Sequence, residues 1–191
     1  MNLPLIYEQD FNTRDYTTLP FAKAEYTDCT FTDCNFESTD LSNVIFLECY
    51  FIGCNFSNAN VMHTTFNAAQ FKDCKILGVL FQNCNTFLLS FNFTNCTLNL
   101  SSFYQLKINH TKFNSCIMHQ VDFTECKAKQ VVFNNCDLKQ SIFESTNIEQ
   151  ADFSTAYNFT LNPAANQVKQ ATFSKENLSG LLYSYNIKIK G

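Results

Sequence analysis

The ten cysteines and three histidines are the side chains of this sequence with the most chemistry in them. Thiolates and imidazoles that converge tetrahedrally hold zinc, and a thiol of lowered pKa is a nucleophile. The spacing argues against both. Cys29, Cys34, Cys49, Cys54, Cys74, Cys84, Cys96, Cys116, Cys126 and Cys136 include no CxxC pair, and each lies two residues before a position that is aromatic, aliphatic or otherwise part of one recurring pattern. Side chains in that register project the same way, and a column of parallel thiols cannot converge on one ion. They read as small buried hydrophobes. Their side chains run alongside one another from repeat to repeat, so disulfides are not expected either. His63, His110 and His119 fall at outward positions. Cys116 and His119 look like a ligand pair in the linear sequence, yet one points in and the other out.

Carboxylates come next. Asp28, Asp33, Asp40, Asp122, Asp137 and Asp152 recur beside inward residues, where Asp and Asn hold turns, so no acid/base pair is read from them. HExxH, GxSxG, P-loop and GxGxxG are all absent, and four glycines leave no loop to cradle a phosphate. Several Asn-x-Ser/Thr triplets, Asn55-Phe56-Ser57 among them, are by-products of a repeat. No catalytic residue, metal ligand or cofactor follows from any of these groups, and the enzyme class has the least support.

Those residues must be positioned by something regular. Aromatic or aliphatic residues recur every five positions from Phe21 through Tyr26, Phe31, Phe36, Leu41, Phe46 and onward to Phe81, and a second small or apolar residue sits two before each. A period of five is neither that of a strand nor that of a helix. Each unit turns two side chains in and three out. The pattern breaks after Phe81 and resumes from Phe93 to Phe153. These units resemble the pentapeptide-repeat family, with consensus A(D/N)Lxx, over roughly residues 11 to 158.

The resemblance implies an all-β, right-handed quadrilateral parallel β-helix, one unit per side and about 20 residues per coil. Residues 20 apart then stack. Phe31, Phe51 and Phe71 form one ladder, and Cys34, Cys54 and Cys74 form another. A two-residue insertion within residues 84–93 carries the first into Phe93, Phe113, Phe133 and Phe153 and the second into Cys96, Cys116 and Cys136. About seven coils at about 4.8 Å give a rod of about 35 Å. The scarcity of Gly and Trp fits a narrow bore that needs few special backbone angles. Phe87, Leu88 and Leu89, at the insertion, are read as folding into the core, with a kinked rod or an exposed apolar contact as the alternatives.

Beyond the repeat, residues 1–10 are expected to cap the N-terminal coil. Asn162-Pro163 ends the pattern, with one more unit-like segment at Ala171 to Phe173. In the segment 159–191, Ser174 can cap a short helix carrying Leu178, Leu181, Leu182 and Tyr185, and Ile187 and Ile189 alternate with lysines as in a short strand. These six apolar residues are candidate dimer contacts, and a cap folded over the last coil is the rival reading. The start, MNLPLIYEQD, has no signal-peptide pattern, and no transmembrane helix is expected, which places the reduced thiols in the cytoplasm.

Charge is uneven. Residues 1–50 hold nine acids against Arg14 and Lys23, a net of −7, and residues 51–120 hold four lysines against Asp73, a net of +3. The low Lys and Arg content argues against nucleic-acid binding. The function expected is a non-catalytic β-helical scaffold that binds another protein. The tail LLYSYNIKIKG and Leu77-Gly78 are also similar to the Qnr and MfpA branch of the family. That similarity implies a DNA mimic that binds DNA gyrase or topoisomerase IV and protects it from quinolones, with Asp28, Asp33, Glu37, Asp40 and Glu48 as the partner-facing acids.

Overall fold

The computed structural model describes residues 3–188, and over them the chain winds as a four-sided parallel β-solenoid of about 8 turns. The sides are labelled A to D by the residues at their centres. Side A is a sheet of nine short parallel strands, from Asp10–Asn12 to Thr172–Phe173. Side D opens with a four-stranded parallel sheet, Leu5–Tyr7, Glu25–Thr27, Ile45–Leu47 and Thr65–Asn67. Sides B and C are joined by single rungs, such as Asn35↔Asn55 on B and Ser102↔Asp122 on C. Nine side-A strands make eight steps, so the rod is about 38 Å long.

The sequence period produces this because the central residue of each unit enters the bore. On side A, Phe31 stacks on Phe51 at 5.2 Å, Phe51 on Phe71 at 4.9 Å, Phe71 on Phe93 at 5.0 Å and Phe93 on Phe113 at 5.2 Å. Phe113, Phe133 and Phe153 continue the column at 5.2 and 4.8 Å. Rings on neighbouring sides meet edge to face, as Phe51 and Phe56 do at 5.1 Å and 85°. Each ring contributes about 1.5–3 kcal/mol by burial, and each well-oriented pair about 0.5–1.5 kcal/mol more.

The position two before each centre holds the small donors. Cys54 Sγ donates to the Phe31 carbonyl at 3.3 Å, and Thr64 Oγ1 to that of Leu41 at 2.8 Å, each reaching one coil back. Cys34, Cys54, Cys74, Cys96, Cys116 and Cys136 rise in one column, all ten thiols are buried and free, and burial pushes Cys49 and Cys126 up to about 12. A thiol held protonated is a poor nucleophile. The native protein is therefore expected to leave its cysteines unreacted with a thiol-specific disulfide reagent, and all ten are expected to react once it is unfolded. Rapid reaction of several thiols in the folded state would contradict this packing.

The expectation of few special backbone angles fails. Almost every unit has a residue at positive φ two after its centre, including Asp28, Ser38, His63, Leu100 and Gln130 as well as Gly53 and Gly78. An L residue pays about 1–3 kcal/mol there. What offsets it is the corner amide, which donates to the coil above: Ser38 to Ser57 at 2.8 Å, Gln105 to Thr124 at 3.0 Å. Composition could not reveal this, since the corners are filled mostly by Asn, Asp, Ser, Gln and Glu, with His, Leu, Ala and Thr among them and glycine at only two. Gly53 is a special case. A Cβ there would lie 2.2 Å from Asp33 Oδ1, because the Asp33 carboxylate leans over it.

The ladder also runs further than the repeat pattern suggested. Leu5–Tyr7 pairs with Glu25–Thr27, so the segment proposed as a cap already belongs to the first coil. Past Asn162-Pro163 the register resumes, with Asn147↔Gln167 and Phe153↔Phe173.

The register shifts from 20 to 22 residues at Phe71↔Phe93 on side A and at Lys75↔Thr97 on side B. The extra residues sit on side D, where Asn85 N–H bonds the Thr64 carbonyl and Ser90 N–H that of Phe66, both at 2.9 Å. Between those ties Phe87 is 73% exposed and Leu88 62%, so these two do not fold into the core; Leu89 packs partly against it. The reason is volume. Phe91 lies in the slot that Ala69 occupies one coil earlier and fills the bore, 5.4 Å from Phe81 and 5.1 Å from Phe93. No room is left for a further ring, and the side-A stack passes through without a break.

The tail differs from expectation too. Ser174 does cap it, accepting from the Asn177 amide at 3.3 Å, but two 3-10 segments follow, Lys175–Leu181 and Tyr183–Tyr185, and Ile187 is not in a strand. Gly180 lies against Phe159, its carbonyl accepting from the Leu161 amide at 3.0 Å, and Leu181 packs on the core.

Candidate interaction surfaces

With the inward positions filled by apolar groups and hydrogen-bonded thiols and hydroxyls, whatever this chain does it does with its outward side chains. Among the described residues no group of three or more His, Cys, Asp or Glu is placed to hold a metal ion, and no helix is long and apolar enough to cross a membrane. His119 pairs with Asp137, Nε2 to Oδ2 at 2.9 Å, while His63 and His110 stand exposed at corners.

The five acids expected to face a partner do not share one side. Asp28 and Glu48 stack at the corner between sides D and A, above Glu8. The Tyr7 hydroxyl beside them titrates above its ordinary value, through a hydrogen bond to Glu8 and the charges of Glu8, Asp28 and Glu48. Asp33 lies at the next corner, over Gly53. Glu37 accepts from Asn55 Nδ2 at 3.0 Å. Asp40 is on side C, bound to Lys23 at 2.9 Å and to the Ser42 amide at 3.0 Å, and these contacts, Lys23 foremost, hold its carboxyl down at about 2. Asp33, Glu37 and Asp40 thus stand in contacts that join one coil to the next or to the preceding turn, and the corner column is the more open acidic feature.

Windows of residues along the chain missed the complement of that column. Lys107 and Lys127 are neighbours on side D, and Lys129 and Lys169 follow on the same side. Stacking at intervals of 20 would have found them. Side D with its corner toward side A therefore carries Glu8, Glu25, Asp28 and Glu48 before the bulge and four lysines after it, with Glu149, 3.5 Å from Lys129, as the one acid there in the second half; the corner toward side C carries Lys23 in the first half and Glu125 in the second. An open cleft of about 370 Å³ lies beside the bulge, lined by Leu88, Leu89, Lys107 and His110.

At the C-terminal end Leu178, Leu182, Tyr185 and Ile187 are exposed, Leu181 is half-buried, and Ile189 lies outside the described residues. An open cleft of about 650 Å³ separates the tail from Lys139, Gln140 and Asn158.

A family model described as "Pentapeptide repeat region" matches residues 24–92 and 76–153. Among solved structures the chain is similar to a trypsin-treated variant of QnrB1, a plasmid-mediated fluoroquinolone resistance protein, at 15% identity over 100% of both chains with a TM-score of 0.62. It is also similar to HetL, a pentapeptide repeat protein involved in heterocyst differentiation regulation from the cyanobacterium Nostoc sp.. There the identity is 11%, over 91% of this chain and 88% of HetL, with a TM-score of 0.69. None of the curated proteins matches. At these identities the structural likeness speaks to the fold.

Proposed function

Because this chain belongs to the pentapeptide-repeat family, we propose that it is a non-catalytic scaffold that binds another protein along the side of its rod. One observation carries the reading: the bore is closed by stacked rings, and the varied chemistry lies on four long outward sides. A rod of about 38 Å with shallow clefts suits an extended protein surface better than a small substrate, which calls for a concave pocket. The ten buried, free thiols fit a reducing cytoplasm.

A second reading takes the partner to be DNA gyrase or topoisomerase IV, engaged as a mimic of duplex DNA. The acidic corner of Glu8, Asp28 and Glu48 and the likeness in fold to QnrB1 favour it. Magnitude weighs against it. Duplex DNA presents about 20 charges over about 35 Å, whereas this chain has 17 acids among 13 bases, and its corner column gives way to lysines.

Titrating the purified protein into a gyrase supercoiling assay, with and without a quinolone, separates the two. The expected result is no protection and no inhibition at micromolar protein, together with stoichiometric capture of a different protein from an extract. Protection that vanishes when Glu8, Asp28 and Glu48 are neutralised would replace the first reading with the second.

A further inference from the structure

Side D is divided at its midpoint in a way that no other side is. Four coils precede the bulge and four follow it; on side D and its corner toward side A the acids other than Glu149 lie in the first half, and the lysines lie in the second. At the centre stand Phe87 and Leu88, 73% and 62% exposed on a loop tied down at both ends. We propose that two copies of this chain pair antiparallel through side D, about a two-fold axis that lies between the faces at the bulge. This goes beyond the scaffold role, which stands whether or not the chain pairs with itself.

The argument is self-complementarity. A two-fold axis perpendicular to the rods sets the first coil opposite the ninth and the third opposite the seventh, and it keeps each corner against the same corner of the other copy. Glu48 of one copy then comes beside Lys129 of the other, and Glu8 beside Lys169. The apolar loops meet at the axis, where a small desolvated cluster ringed by polar contacts is most effective. Both rods in the same direction would set acid against acid and lysine against lysine. Asp28 opposite Glu149 is the one like-charged match, and Glu149 already has Lys129 at 3.5 Å.

Size sets the strength. A side about 38 Å by about 13 Å offers roughly 500 Å² per copy, about 1,000 Å² for the pair, which is the lower limit for a specific interface. The dimer is accordingly weak and sensitive to salt.

Sedimentation equilibrium of the full chain tests this, at tens to hundreds of micromolar and at about 50 and about 500 mM sodium chloride. The expected result is a dimer whose dissociation constant rises more than tenfold at the higher salt. Leu88→Asp is expected to weaken it by a similar factor with melting unchanged. The decisive arm uses two variants, one with Glu8→Lys, Asp28→Lys and Glu48→Lys and the other with Lys127→Glu, Lys129→Glu and Lys169→Glu. Each is expected to be monomeric alone, and the two to pair when mixed. A parent chain that stays monomeric at every concentration overturns the proposal. So does a dimer indifferent to both charge variants, or one abolished by Tyr185→Asp and untouched by Leu88→Asp, which would place the contact at the tail.

Discussion

Replacing Phe113 by alanine is expected to destabilise the protein by about 3–5 kcal/mol and to lower its melting temperature by on the order of 10 °C. Phe113 is fully buried, lies between Phe93 and Phe133 at 5.2 Å on either side, and meets Phe103 and Phe123 edge to face at 5.8 and 6.2 Å. The transfer of one ring explains only part of the loss. The rest is the cavity, because the backbone above and below is held by coil-to-coil hydrogen bonds and cannot collapse into the gap. Phe11, at the open end, has one stacked neighbour at 4.7 Å and is only half-buried, so Phe11→Ala should cost less than half as much. Urea unfolding followed by circular dichroism measures both. Equal costs at the two positions would mean that the column does not carry the stability assigned to it.

The second large effect is expected at Gly180. A Cβ at this residue would stand 2.3 Å from the Phe159 carbonyl oxygen and 2.9 Å from its ring, so no rotamer relieves the clash. Gly180→Val should lift the 3-10 tail from the last coil, break the bond between the Gly180 carbonyl and the Leu161 amide, and wet Phe159 and Phe173. An end coil stripped of its cover exposes unpaired edge and apolar surface. We expect a loss of about 2–4 kcal/mol, with rapid proteolysis confined to the residues after Ser174. Limited digestion read by mass spectrometry checks it. A tail as resistant as that of the parent would show that residues 175–188 do not act as a cover.

Much of this architecture is legible in the sequence because one physical demand repeats. A bore that takes one ring per side writes Phe at every fourth unit, and the 20-residue interval carries Phe71 to Phe93 once two residues are inserted. Three things were not legible, each for a stated reason. The left-handed corners are filled by residues whose cost is met by an amide bond between coils, which composition does not record. The fate of Phe87 and Leu88 depended on Phe91 taking a small-residue slot, a question of volume in three dimensions. The helical spacing of Leu178, Leu181, Leu182 and Tyr185 suggested one apolar stripe. Docking of Gly180 on Phe159 imposed tighter turns and left only Leu181 inside. The outward surface was legible only when read by side: Asp28 and Glu48 share a corner, and Asp33, Glu37 and Asp40 lie elsewhere.

The bulge has one more consequence. In a solenoid each coil is held only by its neighbours, so cooperativity passes from coil to coil like current along a chain of links. On side D the paired strands stop at Asn67 and the rungs resume only at Lys107, so across the bulge the fourth ladder is reduced to the bonds of Asn85 and Ser90 to the coil before. That is where the chain of links is thinnest, and the rod has a built-in division into two folding units of nearly equal length. Hydrogen exchange is expected to show the amides of side D beside the bulge exchanging before those of the side-A strands, and equal protection along the rod would contradict this.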